Sequence, residues 1–337
     1  MKCIASFVVL ALSSVATVLA RKEVGRYGNG DNYRLYDDGK ASLAGTYKDN
    51  VNEFIIPAYI TVSGKKYPVS EIEEKVFNGR NIKAITIDGG NTGLVIKKNA
   101  FYGIKGLKEF NIYSRYVDAE LGGFEGVGNY VQFQGSGIPN TVDKYCEKLL
   151  KKWNLPVGKN YKYVSDDDKK HDLFTLLKTM KKNFGIYDKV AYPDNAANVA
   201  FIGAGSLNGL TRLYRIMAIV MGVPYDEVLA GCDNVHYCWN YAKVVGFRDT
   251  SNIKKWHVID YRAEIRDYIV YSPHSFQKES NFLNTLKDYY GKSSINPHDF
   301  VIHNDRYNYP YESRYNYLNS EKFDDWLLRN NGGERTL

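Results

Sequence analysis

The stretch IKKNAFYGIKGLKEFNI, residues 96–112, carries the pattern that decides the fold of the N-terminal part of the chain. Its Phe-Tyr-Gly triplet at 101–103 is preceded by Phe-Asn-Gly at 77–79 and followed by Phe-Glu-Gly at 124–126. Apolar residues recur at matching positions around each triplet. A period in the low twenties with one short strand per unit is typical of a stacked solenoid, because each unit buries its apolar face only against its neighbours.

The apolar positions around the triplets repeat in step with them. They are Ile72 and Ile96 ahead of the first two triplets, then Ile82, Ile85 and Ile87 behind the first, and Leu107, Phe110 and Ile112 behind the second. This array resembles the leucine-rich repeats of the BspA-like type. The upstream piece IPAYITVSGKKYPVSEI is similar to the entry of such arrays and predicts a hairpin turning at Ser63-Gly64. The piece GSGIPNTVDKYCEKLLKKW resembles their closing unit, an extended strand followed by a short helix.

The first twenty residues, MKCIASFVVLALSSVATVLA, have the features of a secretory signal peptide: a positive start, an apolar run and a small-residue cleavage site. A membrane anchor is the alternative, but the run is short and no second apolar stretch of about 18 residues follows it. We therefore expect a secreted protein whose mature chain begins near Arg21.

Composition restricts the partners that we expect. The formal net charge is +7, and positive and negative residues are interleaved rather than gathered in blocks. We therefore expect a protein or peptide partner, with a cell-surface or wall polymer also open, and neither nucleic-acid binding nor membrane insertion. Tyrosine is abundant, with 29 residues, which is compatible with a peptide- or sugar-binding surface and equally with ordinary packing.

The cysteines indicate neither a disulfide scaffold nor a metal centre. Cys3 leaves with the signal peptide, so Cys146, Cys232 and Cys238 remain in the mature chain. An odd number permits at most one internal disulfide and leaves one thiol. No metal-ligand spacing is present, so we expect no metal and no cofactor.

From about residue 156 the pattern changes to helices. Ser165 followed by three Asp residues predicts a helix start, and Leu173, Leu176, Leu177 and Met180 then fall on one face. A second, more apolar helix begins at or just after Ser206, because the glycine-rich turn at 203–205 precedes it. Gly222 and Pro224 are expected to end that helix.

The order of three later motifs carries a second resemblance. A Gly-x-Gly-Ser turn ending at Ser206 opens the buried helix, and the strands HYCWNYAKV (236–244) and WHVID (256–260) follow. This order resembles the transglutaminase-like superfamily, which shares the papain-type fold of cysteine proteases. The resemblance implies a nucleophilic Cys at the helix start, a His base in an H-x-W-N strand and an Asp that orients the base. A helix N-terminus and an adjacent imidazole favour the thiolate in such sites.

Two of the three catalytic positions are changed here. Ser206 stands where the family has its Cys, and Tyr237 stands where the H-x-W-N motif has its His. Only Asp260 keeps the family residue. His236 is one position early, and a shift of one residue turns a strand side chain to the opposite face unless a bulge restores it. The resemblance therefore predicts Ser206, His236 and Asp260 as vestigial or altered triad positions.

These observations predict an α+β protein with a short β-rich solenoid followed by a transglutaminase-like domain. The expected divisions are a signal peptide at 1–20, a leucine-rich repeat region at 21–155, the transglutaminase-like domain at 156–272 and a Tyr-rich extension at 273–337. We expect a pseudoenzyme whose cleft binds extended peptide or surface polymer, with Tyr237, Trp239 and Trp256 in the binding surface. Two alternatives stay open: an active acyl-transfer enzyme, either a peptidase or an amidotransferase, using Ser206 with His236 and Asp260, and an adhesin in which the repeats bind.

Overall fold

The computed structural model of the protein describes most of the N-terminal two thirds of the chain and separate strands beyond. The described residues are 21–187, 194–225, 227–233, 238–245, 254–259, 261, 276–277 and 300–303. The predicted signal peptide and most of the predicted Tyr-rich extension lie outside these residues.

Eleven strands precede the first helix and form two sheets. They are β1 Glu23–Gly28, β2 Asp31–Tyr36, β3 Ala41–Thr46, β4 Val51–Ile56, β5 Tyr59–Val62, β6 Lys65–Ile72, β7 Ile82–Ile87, β8 Leu94–Ile96, β9 Glu109–Ile112, β10 Val117–Ala119 and β11 Gln132–Gln134. The first sheet has the order β1-β2-β3-β6-β8-β10, with β5 paired to β6, and the second has the order β11-β9-β7-β4. From β3 and β4 onward, neighbours within each order are parallel. The chain therefore alternates between the two sheets. This confirms the predicted solenoid, but each unit contributes two short strands, one to each sheet, rather than the one that was expected.

The triplet phenylalanines hold successive coils together. The rings of Phe77 and Phe101 stack with centroids 5.4 Å apart, and those of Phe101 and Phe124 stack at 6.0 Å. Phe110 lies edge-on to Phe101 at 4.8 Å, and Phe133 continues its row at 5.5 Å. All five side chains are buried. A single coil could not bury its own phenylalanines, so their burial stabilises the protein only when the coils stack on one another.

The glycine of each triplet closes the turn at the end of the first sheet. Gly79, Gly103 and Gly126 have φ values of 77°, 77° and 88°, in the left-handed region that favours glycine. The glycine of each triplet therefore recurs because each turn needs a left-handed residue, just as the phenylalanine recurs because each coil contributes it to the core.

The two ends of the predicted array also form as expected. β5 and β6 make an antiparallel hairpin whose turn is Ser63-Gly64, with Val62 opposite Lys65. At the other end, α1 Ile138–Lys152 follows β11, with Pro139 in its first turn. Its buried face includes Val142, Tyr145 and Leu149.

The second region combines helices with an antiparallel sheet. Its elements are a 3-10 turn Tyr161–Tyr163, α2 Asp166–Asn183, β12 Gly185–Ile186, α3 Ala196–Ile202, β13 Ala204–Gly205, α4 Leu207–Met221, β14 Val228–Asp233, β15 Cys238–Val245, β16 Lys254–Ile259, β17 Phe276–Gln277 and β18 Phe300–His303. The sheet order is β17-β16-β15-β14-β18, and α4 packs against β14 and β15. The helix-on-sheet arrangement fits the predicted α+β class.

Both predicted helices begin where their sequence signals indicate, and α4 also ends where its signal indicates. The Ser165 hydroxyl caps α2 by accepting the Asp168 N–H at 3.1 Å, and the predicted face from Leu173 to Met180 is buried. α4 ends at Gly222, whose φ of 110° places it in the left-handed region.

The second region seals the C-terminal end of the solenoid. The Phe201 ring of α3 lies 4.1 Å from that of Phe124 and 5.0 Å from that of Phe133. The side-chain amides of Asn195 and Asn198 donate to the carbonyls of Phe133 and Val131 at 3.2 and 2.6 Å. The hydrophobic core is therefore continuous from one region to the other, and the division predicted near residue 155 stays a prediction.

Candidate functional site

Ser206, the predicted nucleophile position, is the N-cap residue of α4. Gly203 ends α3 with a φ of 88°, and β13 pairs with β12 before α4 begins. This short path brings the chain from one helix end to the next helix start. The structure thus places Ser206 at the helix N-terminus that the sequence predicted.

The Ser206 hydroxyl is engaged in two hydrogen bonds. Its oxygen accepts the Gly209 N–H at 3.2 Å, and the hydroxyl donates to the carboxylate of Asp194. The Arg212 guanidinium donates to the Asp194 carbonyl at 3.3 Å. These contacts give the hydroxyl a helix-capping role, which is the ordinary role of serine at this position.

Of the predicted triad positions, Ser206 alone lies within the described residues. His236, Tyr237 and Asp260 lie outside the described residues, so their roles stay predictions. The backbone of Trp256 lies in β16 opposite Lys243. Trp239 is fully buried in β15, so it contributes to packing here, and its predicted binding role also stays a prediction.

The cysteines divide into a disulfide and a buried thiol. Cys238 is disulfide-bonded, and Cys232 lies directly opposite it in the β14–β15 pairing. Cys146 is a buried thiol on α1. In the described part of the chain, no helix is long and apolar enough to cross a membrane.

A pocket opens on the solvent-exposed face of the second sheet. Its volume is about 420 Å³, and it crosses β4, β7 and β9. The residues that line it are Asn52, Glu53, Lys83, Ala84, Lys108, Glu109 and Asn111. It lies on the face opposite the phenylalanine rows, so the solenoid core supports it from behind.

The strand register arranges these residues in rows across the sheet. Glu53 pairs with Ala84, Ala84 with Glu109, and Glu109 with Gln132. One residue earlier along the same strands, Asn52, Lys83 and Lys108 occupy matching positions and are exposed. Ala84 thus lies between longer side chains on both neighbouring strands, which produces the depression.

Hydrogen bonds between side chains connect the strands of this face. Thr86 donates to the Glu53 carboxylate at 2.5 Å, and Asn111 donates to the Thr86 hydroxyl at 3.1 Å. Gln134 donates to the Asn111 amide oxygen at 2.7 Å, and Gln132 donates to Gln134 at 3.1 Å. This chain orders one row of polar groups from β4 to β11.

The charged groups of the pocket do not pair with one another. Lys83 donates to the Asn52 amide oxygen at 3.0 Å. No ion pair among the described residues joins Lys83 or Lys108 to Glu53 or Glu109. Four formal charges of balanced sign are therefore presented to solvent within one pocket.

Asp49 fixes the chain at the entrance to this sheet. Its carboxylate accepts the backbone N–H groups of Asn81 at 2.7 Å and Asn50 at 2.9 Å. The hydrogen bond from Asn81 is the main reason that the pKa of Asp49 lies below its ordinary value, and the nearby Arg80 and Lys105 act in the same direction. The turn before β7 is thereby tied to the turn before β4.

The sequence reasoning missed the pocket residues, although a signal was present. Lys83 and Lys108 stand at the same position of their repeats, directly after Ile82 and Leu107. The apolar positions of the repeat predict the core, whereas the polar residues between them form the solvent-exposed face of the second sheet. Strand register was needed to show that Ala84 makes a gap between two glutamates.

Comparisons with known proteins give limited resemblances. No protein-family model and no curated protein matches the chain. A leucine-rich cell surface protein from Faecalibacterium prausnitzii A2-165 is 22% identical, with a TM-score of 0.29, and the match covers 34% of this chain and 31% of that one. A leucine-rich repeat protein from Bacteroides capillosus ATCC 29799 is 23% identical, with a TM-score of 0.20, over 26% of this chain and 71% of that one.

A third structure, the pneumococcal vaccine antigen PcpA, is 16% identical with a TM-score of 0.19 and a match that covers 34% of this chain and 35% of that one. The chain thus spans about a third of the length of the Faecalibacterium protein. TM-scores this low carry no argument about the overall fold. The repeat architecture stands on the sheet pairings and stacked phenylalanines described above.

Proposed function

We propose that the protein is a secreted or surface-located binding protein whose ligand docks on the exposed face of the second sheet. The pocket over Ala84 carries this proposal, because it joins concave shape with polar and charged groups of both signs. Binding sites are commonly concave and positioned by a rigid scaffold. The predicted signal peptide and the repeat resemblance support an extracellular location.

The exposed face of the second sheet is suited to binding because strand pairing and the core beneath the sheet both fix its backbone. Paired strands fix the positions of the pocket residues, and the aromatic rows beneath resist displacement. The side-chain hydrogen bonds from Glu53 to Gln134 further limit rotamer freedom. A surface ordered before binding loses less conformational entropy when the ligand arrives.

The test is to fill the pocket without altering the core. Full-length mature protein and its Ala84→Phe variant would be measured for binding to immobilised fibronectin, mucin and peptidoglycan. Val95→Phe is the matched control, since Val95 lies between buried residues on β8 of the other sheet and is itself partly exposed. We expect Ala84→Phe to lose at least about tenfold in affinity for the ligand that the wild type binds, a loss of about 1.4 kcal/mol. Equal binding by both variants would contradict the proposal.

A second candidate is a degenerate transglutaminase-like cleft at the start of α4. The observation that favours it is a pair of buried oxygens near Ser206. The Asn208 Oδ1 and Thr211 Oγ1 atoms have no hydrogen-bond partner among the described residues. Buried polar atoms usually find a partner, so a ligand group is one way to satisfy these two.

Enzyme assays separate the degenerate cleft from the active acyl-transfer alternative. The mature protein would be tested for hydrolysis and cross-linking of Gln-containing peptides, beside Ser206→Ala and Asp194→Asn. We expect no activity above background from any of the three, because the Ser206 hydroxyl donates to a carboxylate and caps a helix. Turnover that Ser206→Ala abolishes would establish an active enzyme instead.

A further inference from the structure

The unpaired charges of the pocket limit the chemistry of its ligand, if the second sheet is the binding face as proposed above. Lys83 and Lys108 contribute two positive charges, and Glu53 and Glu109 contribute two negative ones. The lining is therefore neutral in sum. A polyanion or a polycation would meet as much repulsion as attraction there, because like charges brought together are costly.

The two signs occupy separate rows. Neighbouring strands lie about 4.8 Å apart, so Glu53 and Glu109 stand about 10 Å apart on either side of Ala84. The space above the Ala84 methyl is wide enough for one extended side chain with a cationic end. Lys83 and Lys108 stand one residue earlier along the chain than Ala84 and Glu109, toward the start of their strands.

Within the part of the chain that the structure describes, no salt bridge neutralises either row. Lys83 is directed toward Asn52, and the described residues include no salt-bridge partner for Lys108 or Glu109. Glu53 accepts a hydrogen bond from Thr86 through one oxygen, which leaves the other open. The pocket thus offers separate acceptors for a cation and for an anion.

We propose that the pocket binds an extended polypeptide segment that carries a basic and an acidic side chain close together. The basic side chain enters above Ala84 between Glu53 and Glu109, and the acidic one meets Lys83 and Lys108. Charge complementarity selects this occupant over an acidic glycan, which supplies only one sign. Interactions of this kind give specificity and faster association more than high affinity.

The adjacent residues Lys108 and Glu109 provide a matched test. Both are exposed on or next to β9, so Lys108→Gln and Glu109→Gln each remove one charge of opposite sign with little effect on folding. Binding of full-length mature protein and both variants would be measured for three soluble probes at low salt. The probes are an alternating Lys-Glu peptide, a Glu-only peptide of equal length, and polygalacturonate.

A mixed-charge ligand predicts that both variants bind the Lys-Glu peptide about two- to fivefold more weakly than the wild type, as expected for exposed charge pairs. Ala84→Phe should abolish this binding. If a polyanion is the ligand, polygalacturonate binds most tightly, and its affinity falls in Lys108→Gln and rises in Glu109→Gln. That result would overturn the mixed-charge inference but would support the second sheet as the binding face. If Ala84→Phe changes no probe's affinity, both the inference and the proposed binding face are wrong.

Discussion

Gly79 and Gly126 occupy the same place in two repeats but meet different surroundings. A Cβ at Gly79 would have no atom within 4 Å, whereas at Gly126 it would lie 2.7 Å from the Tyr102 Cα and 3.2 Å from the Phe101 carbonyl. The difference arises because the turn at 124–126 lies on the turn of the preceding coil. The same backbone conformation therefore carries a second constraint in the later repeat.

We expect Gly126→Ala to destabilise the protein more than Gly79→Ala. Both changes lower the free energy of unfolding by about 1–2 kcal/mol, because a residue with a Cβ is strained in the left-handed conformation. Gly126→Ala adds about 1–3 kcal/mol because backbone must shift to accept the methyl group. Free energies of unfolding from denaturant titration measure this difference. Equal losses would mean that the coils are not stacked as closely as described.

Glu120 gives the solenoid an acid-sensitive contact. Burial raises the pKa of Glu120, but hydrogen bonds from the Lys97 side chain and the Lys98 N–H outweigh that effect and leave the pKa below its ordinary value. A lowered folded-state pKa means that the stabilisation is complete above the ordinary glutamate pKa of about 4.3. It is lost as the pH falls through the folded-state value.

We therefore expect Glu120→Gln to lower the free energy of unfolding at pH 7 by less than about 1 kcal/mol, since the pair is partly exposed. The difference from wild type should disappear as the pH falls below about 4. Glu147→Gln on α1, where the ion pair to Lys151 is long and exposed, serves as control. A loss that persists unchanged in acid would point to packing rather than charge.

Single residues with strong local rules could be predicted from the sequence. Ser165 and Ser206 are N-caps as expected, and Gly222 ends α4, because capping depends on the nearest few residues. The hydrogen bond from the Ser206 hydroxyl to the Asp194 carboxylate could not be predicted. That contact depends on where the chain places Asp194, two residues before α3, which local sequence does not determine.

Among the elements, β15 carries a disulfide-bonded cysteine. Cys238 is disulfide-bonded and faces Cys232 across the pair, while Cys146 is buried in α1. Removing such a link commonly costs about 2–5 kcal/mol. The odd cysteine that the sequence indicated is therefore assigned to the helix that closes the solenoid.

A thiol titration of the mature protein checks this assignment. We expect no reaction with a thiol reagent in the native state, because Cys146 is buried, and a single reactive thiol after denaturation without reductant. Cys146→Ala should remove that thiol and leave the disulfide. Three reactive thiols in the denatured wild type would show that the disulfide is absent.

Element types were predicted well where periodicity is strong, and pairing was predicted less well. The repeat indicated strands near Ile85 and Phe110. It did not indicate that these strands belong to the second sheet while β8 and β10 belong to the first, because that depends on the path of the chain around each coil. The pocket over Ala84 follows from that pairing. Local pattern specifies which residues are buried, whereas parallel register specifies which exposed residues are neighbours.

At the scale of the whole molecule, the two regions share one core. Phe201 contacts Phe124, Phe133 and Tyr145 with ring-centroid distances of 4.1, 5.0 and 5.2 Å. A solenoid truncated before α3 would expose these rings. Packing is therefore continuous across residue 155, and the division predicted there stays a prediction.

We expect the regions to unfold together and Phe201→Ala to destabilise both by about 3–5 kcal/mol. Far-ultraviolet circular dichroism and tryptophan fluorescence should give coincident transitions in wild type and variant. Tyr225→Ala, at a side chain that is 71% exposed, is the control and should change little. A variant in which only the fluorescence transition moves would show that the solenoid is stable alone.

The asparagines on the last coil have an evolutionary consequence. The side-chain amides of Asn195 and Asn198 donate to the carbonyl of Phe133 in β11 and to that of Val131 just before it, so a newly duplicated coil added after that strand would have to displace them. From β4 to β9 the strands of the second sheet pair only with other strands of that sheet, and a copy inserted there keeps both ends intact. Descendants of this gene can therefore lengthen the second sheet by internal duplication while the terminal contacts with α3 are inherited unchanged.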